Sequence, residues 1–476
     1  MTNGLLVIRG ILAHALAVAD RYHWIFLFAA SPFLLFPSPT RSVALVVVPA
    51  LWILAWRVRG AALPRTPFNV ILLVLYSMVL VSLFATYDVA VSLSKVAGMV
   101  LGIGVFFAFV REGQTSRGWW VCFWVYVLTG LGVAVLGILG TNWLQKVNLL
   151  SPIIARLPPR ITGLPGAGPG FSGNELAGGL LWVIPLILVL DTLLLTRAKK
   201  LQSNFGLLWT LTVFCFVGVA SFLMLSYLVL TQSRGGYIGF LLALFVLVLY
   251  ALPSRRRWIA VGALVVMISI GLAVSRDSTG VALVRLVGGE SSMGTALSLD
   301  TLEGRLEVWS RAIYAIQDFP FTGMGMNTFR YVVHVLYPLF SVSPDFDISH
   351  AHNEFLQAGL DLGLPGLIAF IALYMGAFWM LGQVWKTARP GESGPGDRIL
   401  LQVLVMGCAS GLIGHISYGM TDAVTFGAKP GVLFWMLLGL VTTLFQQTHS
   451  GRFFESPAGW PAGAILARIA SAPKRT

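Results

Sequence analysis

Four positions in this sequence carry side chains suited to proton transfer or to binding phosphate. The segment HAHNEFLQAGLDLGLPG, His350 to Gly366, ends a polar stretch and opens an apolar run, so His352 and Asn353 stand at a helix N-terminus facing water. A helix dipole there disfavours the imidazolium and keeps histidine neutral, the state a general base needs near pH 7. Arg234 sits in TQSRGG with Gly235 and Gly236 behind it, where free amides at a helix start and a guanidinium together suit phosphate. Arg305, in GRLEVW, and Arg160, ahead of the glycine-rich GLPGAGPG, are cations of the same kind. Two of these arginines also have a plain reading. Arg234 can snorkel from a span end, and Arg305 can pair on a surface with Glu303 or Glu307. Asn174 and Glu175 open an apolar run as GNELAGG, where helix capping is the simple explanation.

His350 and His352 with Asp345 and Asp347 also suggest a metal site. Alternate residues of an extended segment point to opposite sides, and the spacing matches no strong zinc pattern, so no metal ligand is assigned. Asp345-Phe346-Asp347 imitates the acidic pair of nucleotide-sugar enzymes, but nucleotide sugars are cytoplasmic and this segment is expected outside. His14, His23, His334, His415 and His449 have no evident partners and read as structural. Cys122, Cys215 and Cys408, the only cysteines, lie in apolar runs and suggest neither a disulfide framework nor a thiolate site.

The elements that must position these residues are set by composition. Of 476 residues, 57% are apolar and 11% charged, with a mean hydropathy of +0.82; soluble domains carry about twice that charged fraction. Uninterrupted apolar runs approach the roughly 20 residues that cross a bilayer, and their continuity favours helices over alternating barrel strands. Runs at 23–38, 42–56, 67–86, 89–110, 118–139, 173–196, 206–230, 235–252, 258–275, 354–385, 399–420 and 430–446 predict an all-α polytopic membrane protein of about twelve spans. Pro32, Pro37 and Pro39 allow the first two runs to form a re-entrant pair instead.

A net charge of +13 reflects basic loops rather than a nucleic-acid partner. Alternate loops carry Arg57, Arg59 and Arg65; Arg111 and Arg117; Arg197, Lys199 and Lys200; Arg255 to Arg257; and Lys386, Arg389 and Arg398. The short loops between them hold Arg41, Asp88, Arg234 and Lys429. The positive-inside rule then assigns both termini to the cytoplasm. No removable signal peptide is read, and the first span is expected to act as an anchor.

The chain divides into spans one to nine over 1–275 with an outer loop at 140–172, an outer loop domain at 276–353, three further spans over 354–446, and a tail at 447–476. Leu302, Leu306, Trp309, Ile313 and Ile316 predict an amphipathic helix lying on the membrane surface. Phe453, Phe454, Trp460 and Ile465, set among basic residues in the tail, fit an interfacial helix or a bland polar tail equally.

Three segments, TQSRGG, GRLEVWSRAIYAIQDFPFTGMGMNTF and HAHNEFLQAGLDLGLPG, resemble the O-antigen ligase family and its relatives, the O-antigen polymerases and O-linked oligosaccharyltransferases. The family's His-Asn pair, nine residues, then Gly-x-x-Gly matches His352-Asn353 followed by Gly363 to Gly366. Asn174-Glu175-Leu176-Ala177 is similar to a weaker family motif, and Leu367 is a departure bearing on the acceptor.

The resemblance implies a GT-C-like membrane glycosyltransferase of the bacterial inner membrane with a periplasmic site and no metal cofactor. Its donor would be a glycan on undecaprenyl diphosphate and its acceptor a sugar hydroxyl of lipid A core. His352 would be the base, with Arg234, Arg305 and Arg160 on the diphosphate and Asn353, His350 and Asn174 supporting. Polymerase and protein glycosyltransferase are alternatives within that class. A transporter or flippase is the alternative outside it, and it should concentrate ionisable groups at mid-membrane. Only Lys95 reads as lying clearly within a span, which favours surface chemistry.

Overall fold

A computed structural model of the protein describes residues 2–38, 40–143, 150–157, 160–161, 170–274, 302–340, 342–388, 395–427, 429–451 and 453. The expected residues 276–301, most of GLPGAGPG, and Phe454, Trp460 and Ile465 of the tail lie outside them. Among the described residues the regular elements are helical, joined by one isolated bridge between Thr141 and Phe171. In chain order they are α1 (Thr2–Arg21), α2 (His23–Leu35), α3 (Val47–Arg59), α4 (Asn69–Ala85), α5 (Val89–Glu112), α6 (Ser116–Gly140), α7 (Ser151–Ile154), α8 (Gly173–Leu180) and α9 (Ile184–Thr196). There follow α10 (Ala198–Phe205), α11 (Leu207–Leu230), α12 (Arg234–Ala251), α13 (Ser254–Val274), α14 (Leu302–Asp318), α15 (Phe329–Leu336), α16 (Glu354–Thr387), α17 (Pro395–Gly419) and α18 (Val432–His449).

Every expected apolar run coincides with a helix or a helix pair. Eight described helices are long and apolar enough to cross a membrane, or nine if α8 and α9, bent by 46° at their junction, form one broken span. Helices α2 and α4 are apolar but shorter. Helix α1 precedes the first expected span, and its Asp20 takes Arg59 and Arg111 as partners at the end of the bundle away from His352.

The helix starts at the other end are capped by side chains that spare exposed amides. Asp88 caps α5, Ser172 caps α8, Ser233 caps α12 and Asn353 caps α16. Helices α12 and α17 approach closely because glycines face each other. A β-carbon on Gly239 would lie 2.5 Å from the Gly414 carbonyl oxygen, and one on Gly414 2.8 Å from that of Gly239. This contact brings Arg234, at the start of α12, beside the turn that follows α17.

Helix α16 departs from the single span expected. It breaks at Gly363, whose φ of +68° only glycine adopts freely, with Pro365 just beyond. The break is filled by residues 319–324: Met324 N–H donates to the Leu360 carbonyl and Leu364 N–H to the Pro320 carbonyl, both at 2.7 Å. The Gly-x-x-Gly of the sequence is therefore a docking point between the 302–353 segment and the bundle.

That segment has its own small core. Val308, Ala312 and Ala315 of α14 pack with Phe329 and Val333 of α15, Ile348, Ala351, and Leu360 of α16. The buried row of α14 is thus displaced from the expected stripe. Leu306 and Ile313 remain 50% and 45% exposed, because the small residues on the neighbouring face let α14 approach α16.

Candidate functional site

The chain reaches His352 through a turn, not an extended strand. His352 adopts a φ of +49°, an uncommon conformation for a residue with a β-carbon. The alternation expected from an extended segment therefore fails, and the rings of His350 and His352 lie on one side with centroids 4.3 Å apart. His352 N–H donates to His350 Nδ1 at 3.1 Å. With Nδ1 accepting, the proton of a neutral His350 ring belongs on Nε2, which lies 3.2 Å from Asp422 Oδ1.

Asp422, in the turn after α17, was not anticipated from the sequence. Its Oδ1 also lies 3.9 Å from His352 Nδ1, an electrostatic contact longer than a hydrogen bond. Burial lowers the His350 pKa from 6.5 to about 3; Asp422 opposes this, while His352, Lys95 and Arg305 add to it.

His350, His352 and Asp422 place one potential ligand atom each within 4.8 Å of one another. A metal-binding histidine ordinarily donates its second N–H to an acceptor. Here the second nitrogen of His350 faces a donor, the His352 amide, so a neutral His350 does not fit that role. Asp347, the carboxylate expected near these histidines, instead forms a fork with Arg330, with Nε to Oδ1 at 2.7 Å.

Asn353 Oδ1 accepts from the Phe355 and Leu356 amides at 3.0 and 3.1 Å, while its Nδ2 donates to the Met420 carbonyl at 3.3 Å. The cap therefore ties the α16 start to the turn carrying Asp422. Trp309 of α14 donates to the His352 carbonyl at 3.4 Å. Arg305 lies one turn before Trp309 on the same helix face, which accounts for its field at His350. Glu307, expected as a partner of Arg305, pairs with Arg311 at 3.4 Å and accepts from the Phe340 amide at 2.6 Å.

Arg234 is exposed at the start of α12. Its neighbour Gly235 packs on Thr421, where a β-carbon would lie 2.6 Å from Oγ1. Asn174 contributes its carbonyl, which accepts from the Tyr418 hydroxyl at 2.8 Å. Arg160 stands against Asn142 and Gly170: a β-carbon on Gly170 would come 3.0 Å from Arg160 Nη1. His350 and Asn353 thus meet the 418–422 turn directly, Arg234 lies close to it through its neighbour Gly235, and Arg305 is near enough to act on His350.

The first half of α16 carries polar groups that sequence reasoning passed over. Glu354, Gln357 and Asp361 recur at helical spacing in an apolar run, a pattern that could have marked them. Glu354 is buried against His415 at 3.0 Å and accepts from the Thr425 amide at 2.5 Å. His415 Nδ1 faces the Gly178 carbonyl at 2.9 Å, so this histidine, expected to lack a partner, joins α16, α17 and α8. Gln357 donates to Asp361, which pairs with Lys95 at 3.1 Å and accepts from the Asn327 amide at 3.2 Å. Lys95 is therefore not the lone ionisable group within a span: Asp361, Glu354 and His415 lie in helices beside it, and Asp191 bonds Ser221 elsewhere in the bundle.

Comparison with known proteins bears on this stretch of the chain. Residues 219–371 match the O-antigen ligase family. The matched region holds Arg234, Arg305, His350, His352, Asn353 and the broken first half of α16, and leaves Arg160, Asn174 and Asp422 outside it. The expected resemblance to O-antigen ligases is borne out over that region. Among curated proteins, none matches the chain.

Proposed function

We propose that the protein is an O-antigen ligase of the bacterial inner membrane. It transfers a glycan from undecaprenyl diphosphate to a sugar hydroxyl of lipid A core, at a site facing the periplasm with both termini cytoplasmic. The observation that carries this reading is the O-antigen ligase match over 219–371, which encloses His352 together with Arg234 and Arg305.

In this reading His352 takes the proton of the acceptor hydroxyl as its oxygen attacks the anomeric carbon. The Asp422 carboxylate acts on that ring electrostatically. The bond to the diphosphate breaks in the same step, giving a single displacement with inversion. Arg234 and Arg305, with Arg160 third, neutralise the charge growing on the leaving diphosphate, a role for guanidinium groups and oriented amides in the absence of a metal. A GT-C-like arrangement suits this chemistry, because both lipid-anchored substrates meet at matched depth and the cost of orienting them falls.

The test is reconstitution with purified carrier-linked glycan and lipid A core, with and without chelator. Glycan-bearing lipid A core, formed equally with chelator present, is the expected product. Longer carrier-linked chains or a glycosylated protein would assign the sibling activities instead, and failure to transfer in any arm would remove the transferase reading.

A further inference from the structure

A second feature adjoins the residues that follow the 418–422 turn. A cavity of about 490 Å³ opens there, with His350 in its wall and Arg41, Lys95, Arg330 and Lys429 around it. The sequence scatters these cations over four segments. Arg41 and Lys429 come from short loops that read only as topology markers, and Lys95 looks like a stray charge in a span. Glu175 is the one carboxylate among the described lining residues. Asp361 stands behind Lys95, Asp347 behind Arg330 and Asp422 behind His350, which leaves Arg41 and Lys429 as the lining cations with no carboxylate among the described lining residues against them but Glu175.

The rest of the lining is of two kinds. Ser94, Asn327, Ser349 and Gln357 offer hydroxyls and amides, while Phe36 and Phe426 offer apolar faces. Lys429 Nζ sits 4.9 Å from the Phe36 ring centroid and 5.6 Å from that of Phe171, which holds the ammonium at the rim. A volume of this size suits a small ligand. Cations with hydroxyls, amides and ring faces suit a saccharide that bears anionic groups, and the one lining carboxylate can accept sugar hydroxyls.

We propose that this cavity receives the phosphorylated saccharide of the acceptor, with Arg41 and Lys429 as the determinants of its charge preference. The inference rests on the transferase reading for its placement of the two substrates. An inverting displacement needs the attacking hydroxyl and the leaving diphosphate on opposite sides of the anomeric carbon. Thr421 packs toward the start of α12, whereas Ala423 lines the cavity. The cavity wall also includes His350, whose ring centroid lies 4.3 Å from that of His352, so a sugar held there sits beside the base.

The test is calorimetric titration of delipidated, phosphorylated core oligosaccharide into the detergent-solubilised full chain. Arg41→Gln and Lys429→Gln should each weaken binding about tenfold, the loss of one charged hydrogen bond. Lys429→Arg should retain most of it. The penalty should shrink when the oligosaccharide is enzymatically dephosphorylated, and inorganic phosphate should compete with the phosphorylated form only. In turnover, the acceptor KM should rise in both Gln variants while the donor KM stays constant. Equal affinity of the wild type and the double variant, or an effect confined to the donor KM, overturns the proposal. Binding with these preferences but without transfer supports the cavity and removes the transferase reading, so the two fail separately.

Discussion

His352 combines an unusual backbone angle with a dependence on its neighbours. If it is the base, His352→Ala should lower kcat by roughly two to four orders of magnitude while the protein still inserts and melts normally. Asp422→Asn keeps the shape of the turn but removes the negative charge near His352 Nδ1. It should lower kcat by roughly ten- to a hundredfold and shift the pH–rate profile, a change that a purely structural role would not produce. His350 makes a separate prediction about stability. Burial holds its pKa near 3, whereas the unfolded chain restores the ordinary 6.5. Below pH 6.5 the unfolded state therefore binds a proton that the folded state refuses, and stability is lost progressively as pH falls toward 3. Thermal melts from pH 7 to pH 4 should show a steeper decline for the wild type than for His350→Gln. Parallel curves would mean that His350 takes up its proton without unfolding.

At the scale of the element, α16 is the part whose construction the sequence half discloses. The place of His352 and Asn353 at a helix N-terminus was legible, because they close a polar stretch and open an apolar run; that Asn353 itself caps the helix was not. The break at Gly363 was not, since a glycine and a proline inside a long apolar run are compatible with a continuous span. Only the docked 319–324 segment reveals it. Gly363→Ala imposes a φ of +68° on a residue with a β-carbon and sets that carbon 2.8 Å from the Phe321 backbone. It should cost roughly 1–3 kcal/mol in a thermal melt, whereas Leu364→Ala, at a 39% exposed position, should cost far less. The α14 stripe was legible as a helix but not as to which face is buried. Ala312 and Ala315 carry weak hydropathy signals, yet they are the residues that allow close approach.

At the scale of the whole molecule, the bundle was legible from hydropathy, and the pairing of its charges was not. Lys95 and Asp361 are far apart in the chain, and nothing local announces that they meet at 3.1 Å with Asp361 fully buried. The same holds for Asp422, whose sequence neighbourhood reads only as the end of a span. Lys95→Met should destabilise the protein by about 3–5 kcal/mol by leaving a buried carboxylate without its cation, while Lys95→Met with Asp361→Leu should recover much of that loss. Melting temperatures of the two variants decide it; a double variant no more stable than the single would show that the pair also anchors Asn327 and the 302–353 segment.

The seal between residues 319–324 and the broken helix has a kinetic consequence. The Met324 and Leu364 amides donate their hydrogen bonds to each other's segments, so neither can reach water unless the two segments part. Deuterium should therefore enter both positions at one common rate, set by undocking rather than by local fraying. Mass spectrometry of the two peptides, with and without substrate, would time that opening against turnover.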